Sequence, residues 1–184
     1  MINEKEIIEG CKAGKEKYQK MLYQHFSSTL MGICMRYAKN TMEAEDILHD
    51  SFIKIFVKIS SFRGEGALEA WVRQVTVNTA INAYRKKVAT GYDLDIDELE
   101  ESIKDVKVST TDKTTLNLLL TFINELPDGY RAAFNLYEID GYSHKEIAEM
   151  LGCTPVTVRT QLHKAKLALK KKIETHLKND LEVL

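Results

Sequence analysis

"HKEIAEMLGCTPVTVRTQLHKAK", residues 144–166, decides how this chain is read. Ser143 stands just before it as a helix N-cap, and Glu146 follows three residues on, the spacing of a capping box. Ile147, Ala148 and Leu151 then recur at helical intervals. Gly152 takes the left-handed position at which many helices end. Thr154 caps a second helix and Pro155 opens it, where a missing N–H is harmless. Loss of such a threonine cap costs about 1 kcal/mol. Two helices with so few residues between them cross steeply, which is helix-turn-helix geometry.

The second helix sorts its residues by face. At about 100° per residue, Val158, Leu162, Ala165 and Leu169 fall together and are expected to point inward. Val156, Thr160, His163 and Leu167 lie opposite, flanked by Thr157, Arg159, Lys164 and Lys170. No acidic residue occurs from Thr154 to Ile173. Lysine and arginine pair with phosphates, while arginine, threonine and histidine reach base edges in a major groove. Hairpins with the same caps also occur in bundles that bind nothing, so the motif alone leaves both readings open.

Working outward, composition narrows the class. The chain has 184 residues, 44% hydrophobic and 29% charged, with 9 glycines and 2 prolines. Strand-like alternation is scarce, so an all-α protein is expected. The net charge of -1 hides an uneven spread. Residues 1–87 carry 14 Lys+Arg against 10 Asp+Glu, residues 88–112 carry 2 against 8, and residues 154–178 carry 7 against 1. Local stripes set the field at short range, so a neutral total does not exclude nucleic acid. Cys11, Cys34 and Cys153 are odd in number and far apart, which fits a reducing cytoplasm rather than a disulfide framework. The N-terminus has no apolar run like a signal peptide, and no stretch reaches the ~20 apolar residues of a membrane span.

The organisation follows from breaks in the helical pattern. Tyr18–Lys39 reads as a helix carrying Leu22, Phe26, Thr29, Leu30, Ile33 and Tyr37 at its spacing. Thr41 is expected to cap the next helix, which runs to about Ile59 with Ile47, Leu48, Phe52, Ile55 and Phe56 apolar. "SSFRGEG", 60–66, is a break. A third helix starts near Ala67 and continues through Trp71, Val75, Asn78 and Ile81 into "YRKK", 84–87. Helices resume over Asp112–Leu126, stop at Pro127, and restart over Asp128–Ile139, with "DGYS", 140–143, as a turn. The expected architecture is two small helical bundles joined by a flexible acidic linker, the C-terminal one containing the helix-turn-helix. Their bounds are 1–88, 89–112 and 113–184.

"SFRGEGALEAWVRQVTVNTAINAYRKK", 61–87, couples a glycine-bearing loop to a helix with one tryptophan, several amides and a basic end. Rings and amides beside cations suit single-stranded nucleic acid. Phe62 and Trp71 can equally be core residues, which is the expectation for Trp71. "EDILHD", 45–50, puts acids and His49 on one helix, but no second carboxylate-and-histidine set exists for a bundle metal site. No Gly-rich phosphate loop, G-x-S-x-G elbow or H-E-x-x-H occurs, so nothing recommends an enzyme, a metal or a cofactor.

"AEDILHDSFIKIF", 44–56, with "SFRGEGALEAWVRQVTVNTAIN" resembles conserved region two of bacterial sigma factors. "LPDGYRAAFNLYEIDGYSHKEIAEMLGCTPVTVRTQLHKAKLALKK" resembles region four. The order and the short acidic spacer are those of the extracytoplasmic-function group of the sigma-70 family. The resemblance implies a non-catalytic, cytoplasmic factor that binds core RNA polymerase and promoter DNA, and it suggests an anti-sigma factor as regulator. It implies that Asp46, His49, Asp50 and Phe52 contact polymerase. It places Phe62, Arg63, Gly64, Glu65, Gly66, Ala67 and Leu68 in a loop that captures a flipped base of the minus-ten element, with Arg73 and Asn78 along the melted strand. It assigns Thr157, Arg159, Thr160, His163 and Lys164 to the minus-35 element. A flipped base costs a few kcal/mol, which stacking and edge contacts must return. Gln161, His49 and Phe56 depart from the family's common residues. The competing reading is a stand-alone helix-turn-helix regulator that binds duplex DNA as a dimer.

Overall fold

A computed structural model describes residues 4–91 and 114–182, and every element among them is helical. Contacts divide the chain into two compact units, Met1–Ala83 and Tyr84–Leu184. The all-α expectation holds for the described residues. The acidic segment expected as a linker lies, from residue 92 onward, outside them.

The first unit begins with α1 (Glu4–Lys12), a helix that the sequence pattern does not announce. It buries Ile7, Ile8 and Cys11 and packs on α2 (Glu16–Tyr37). Gly10 permits that approach: a Cβ there would lie 2.2 Å from the Tyr18 ring. Tyr18 also donates its hydroxyl to Glu6 at 2.8 Å. α2 buries Leu22, Phe26, Leu30, Ile33 and Tyr37, as its periodicity predicts, whereas Thr29 is exposed. Each fully buried leucine or isoleucine contributes about 1.5–3 kcal/mol.

α3 (Thr41–Lys58) follows, and its cap differs from the expected one. Asn40 is extended, and its side-chain oxygen accepts from the Glu43 N–H at 2.9 Å. Glu43 in turn accepts from the Lys39 N–H at 2.9 Å. Asparagine caps at least as well as threonine, so Thr41 moves into the first turn. A 3-10 turn, Ile59–Ser61, ends α3, and an irregular loop leads to α4 (Leu68–Ala89).

The second unit comprises α5 (Thr114–Asn124), α6 (Asp128–Phe134), a π-helical turn (Asn135–Ile139), α7 (His144–Leu151) and α8 (Pro155–Glu182). The expected α-helix to Ile139 thus widens in its last turn, where Asp140 N–H bonds Asn135 O at 2.9 Å. Gly141 then reverses the chain at φ 78. Phe122, Ile123, Leu126 and Tyr130 pack with Ala165 and Leu169 of α8. Arg131 is buried at 1% exposure. It donates to Asn124 O at 2.8 Å and Leu126 O at 3.2 Å, and it pairs with the Asp128 carboxylate. These bonds satisfy carbonyls that the end of α5 leaves open.

Candidate nucleic-acid interface

The helix-turn-helix forms where the sequence places it. Ser143 and Glu146 make a complete capping box: Glu146 N–H bonds Ser143 Oγ at 3.3 Å and Ser143 N–H bonds Glu146 Oε2 at 2.8 Å. Gly152 is left-handed at φ 71, ψ 36. Thr154 Oγ1 accepts from the Thr157 N–H at 3.1 Å at the start of α8. Val158, Leu162, Ala165 and Leu169 are all buried, as the helical wheel requires.

The hydrogen bonds to Ser143, first its hydroxyl and then its backbone N–H, hold the Glu146 carboxyl below the usual carboxylate range. A carboxyl depressed in the folded state adds stability above its unfolded pKa. That stability is lost as pH falls through the folded value. Ser143→Ala is therefore expected to flatten part of the acid limb of the thermal-unfolding profile and leave the neutral-to-alkaline limb parallel to wild type. Melts recorded at a series of pH values check this.

The five side chains expected at duplex DNA, Thr157, Arg159, Thr160, His163 and Lys164, are all exposed on α8. Thr160 bonds its own helix at Val156 O, 3.1 Å, and Lys164 lies over the Tyr130 ring at 5.8 Å. Gln161 is turned partly inward: its amide nitrogen stands 2.8 Å from where a Gly129 Cβ would sit. The basic stripe is narrower than the sequence suggests. Lys166 pairs with Glu138 at 2.6 Å and Lys172 with Glu125 at 2.6 Å. Glu138 lies in the π-helical turn and Glu125 just after α5, so a count along α8 misses them.

In the first unit, the loop before α4 divides into anchors and an exposed rim. Phe62 is 5% and Leu68 1% exposed, so both are framework. Phe62 packs on Trp71 with ring centroids 5.4 Å apart, and Trp71 is half-buried, close to its expected core role. Arg63, Gly64, Glu65, Gly66 and Ala67 are exposed between these anchors. Gly64 and Gly66 have φ of 77 and 96, where an L side chain is strained. Arg73 and Asn78 are exposed on α4, and Glu69 holds Arg73 through bonds of 3.0 and 2.8 Å.

A third surface lies on α3. Asp46, His49 and Asp50 are exposed on one face, whereas Phe52 is 4% exposed and packs its ring, tilted by 46°, against Tyr23 with centroids 4.6 Å apart. The residues that share the acidic face are Ile53 and Val57, exposed at 48% and 74%. The spacing Asp46, His49, Asp50, Ile53, Val57 is one helical stripe and would have found them.

Cys11 and Cys34 are buried, and burial pushes the Cys34 thiol up to about 12. Both are packing groups rather than reactive thiols. No helix among the described residues is long and apolar enough to cross a membrane.

Known proteins give these surfaces a common setting. Residues 22–90 match the family model for Sigma-70 region 2, and residues 116–169 match Sigma-70, region 4. The RNA polymerase sigma-H factor of Pseudomonas aeruginosa is 25% identical over 186 residues, covering 95% of this chain and 96% of that protein. The ECF RNA polymerase sigma-E factor of Escherichia coli K12 is 27% identical over 183 residues, covering 94% and 95%. The sigma factor RpoE, solved with the anti-sigma factor NepR from Bartonella quintana, shares the fold at a TM-score of 0.51 and 22% identity, covering 84% of this chain and 96% of that one. Two sigma-70 regions in order, together spanning most of the chain, with relatives aligned nearly end to end, make this protein a member of the extracytoplasmic-function group of the sigma-70 family, an alternative sigma factor that directs transcription initiation with RNA polymerase.

Proposed function

We propose a division of that work among three surfaces. The acidic and apolar stripe of α3 engages core polymerase through Asp46, His49, Asp50, Ile53 and Val57, with Phe52 supporting it from within. The exposed rim Arg63–Ala67 takes a base of the opened minus-ten element, with Phe62 and Leu68 as its anchors. Asn78 and Arg73 follow the strand along α4. The outer face of α8 reads the minus-35 element through Thr157, Arg159, Thr160, His163 and Lys164. The protein adds binding energy and no chemistry of its own, and it acts in the cytoplasm.

The observation that carries this reading is that Asp46, His49, Asp50, Ile53 and Val57 on α3, the rim Arg63–Ala67, and Thr157, Arg159, Thr160, His163 and Lys164 on α8 are exposed above a buried framework that includes Phe52, Phe62, Leu68 and Val158. An anti-sigma factor, the kind of partner bound to the Bartonella relative, fits as regulator of the same surfaces.

The test is run-off transcription on fragmented genomic DNA with sigma-free core polymerase. Discrete transcripts with shared upstream elements are expected. In the same assay Arg159→Ala should lower promoter-specific initiation roughly 5- to 150-fold, the equivalent of one base contact, and leave core binding unchanged. Core-independent binding to a palindrome, without transcripts, would instead identify a stand-alone regulator.

A further inference from the structure

The loop that separates the 3-10 turn Ile59–Ser61 from α4 is flanked on both sides by α1. α1 packs against the turn Ile59–Ser61, at the loop's start. At its end, Glu4 of α1 accepts the Leu68 N–H at 3.1 Å. Leu68 is the first residue of α4, and its N–H has no carbonyl one turn back to bond. A carboxylate at that place also meets the positive end of the helix dipole. Glu4 is thus an N-cap supplied from 64 positions away in sequence.

α1 is itself held firmly enough to serve as a reference. Ile7, Ile8 and Cys11 are buried, Gly10 lets the helix close onto Tyr18, and Glu6 accepts the Tyr18 hydroxyl. The rim between the two tethers contains Gly64 and Gly66, both at positive φ, and no Cβ built on either would meet an atom within 4 Å. Packing therefore does not fix the rim at these two positions. Its ends are held by Phe62 and Leu68, and Leu68 is in turn bonded by Glu4.

We infer that α1 sets the conformation of the minus-ten loop, with Glu4 as a positioning residue for promoter opening. This rests on the reading of that loop as the base-capturing element. A rim free to sample many conformations would lose part of the binding free energy to ordering when a base arrives. A rim with both ends fixed meets the base closer to its bound form.

The experiment uses full-length Glu4→Ala and Glu4→Gln with core polymerase on a promoter recovered by run-off. Permanganate reactivity of minus-ten thymines measures opening, and a separate titration measures core affinity. Glu4→Ala is expected to give roughly fivefold fewer open complexes, the scale of one lost cap, with core affinity unchanged. Glu4→Gln keeps an oxygen acceptor and should restore most of the opening. Gly10→Ala, which displaces α1 from Tyr18, should reproduce the defect of Glu4→Ala. Should Gly10→Ala fail to fold, the Glu4 pair still decides. Opening by Glu4→Ala at the wild-type level overturns the inference. So does a defect in opening matched by an equal loss of core affinity, because α1 would then support the whole unit. If alanine at the exposed rim residues Arg63 and Glu65 leaves opening at the wild-type level, the reading of the loop itself is what fails.

Discussion

Arg131→Ala should unfold the C-terminal unit at markedly lower urea than wild type. Arg131 is at the centre of that unit, and its guanidinium bonds two carbonyls, of Asn124 and Leu126, together with the Asp128 carboxylate. Alanine removes the donor, so the two carbonyls lose their bonds and Asp128, 6% exposed, keeps Lys87 at 3.7 Å in place of the guanidinium. Breaking a buried pair from one side costs about 3–5 kcal/mol. A domain's whole stability is about 5–15 kcal/mol. The single tryptophan, Trp71, lies in the first unit, so its fluorescence is an internal comparison. The expected result is an early loss of far-UV helical signal while the Trp71 transition keeps its midpoint. Arg131→Met should be milder than alanine, since it refills the stem of the side chain. Unchanged urea unfolding in both variants would show that the pair contributes nothing net.

Asp50→Arg should weaken core-polymerase binding about 30-fold or more while melting as wild type does. Asp50 is exposed in the middle of the α3 stripe, so reversing its charge leaves the fold alone. At an interface, a central residue of this kind is worth 2 kcal/mol or more, which is about 30-fold in affinity. Ile53→Asp should act the same way, for the opposite reason: it puts a charge where apolar area is buried on docking. Phe52→Ala is the contrasting variant. Its ring packs with Tyr23 and, at 5.9 Å, with Phe56, so its loss should lower the melting temperature at a cost of about 3–5 kcal/mol. Binding titrations beside thermal melts separate the two classes. Asp50→Arg binding core as tightly as wild type would remove α3 from the polymerase interface.

Local pattern made much of this legible. Val158, Leu162, Ala165 and Leu169 are four neighbours on one helix, so their burial follows from spacing alone. The Ser143 box and Gly152 involve partners within a few residues. What the sequence hid depends on contacts between distant segments. Glu4 and Leu68, and Lys172 and Glu125, are paired by the fold, and no periodicity joins them. Arg131 runs against the expectation that arginine is exposed, and only the carbonyls at the end of α5 explain it. The resemblance places Phe52 at a contact surface, yet it is 4% exposed. Its helical angle, shared with the inward residues Ile55 and Ile59 more than with Asp50, already pointed to the core.

The open surroundings of Gly64 and Gly66 have a consequence for handedness. Neither position is short of room, and what excludes an L-alanine there is the mirror sense of its backbone. D-alanine favours that same region, so a synthetic chain carrying it at both sites would keep the rim's path where its Cβ, on the other side of each Cα, finds room. It would also have fewer conformations to lose on folding than glycine does, a gain of about 0.4–1 kcal/mol per site where the native angles suit the new residue. At these two places the genetic code, limited to one enantiomer, uses the achiral residue to reach a shape that the mirror-image monomer would hold more firmly.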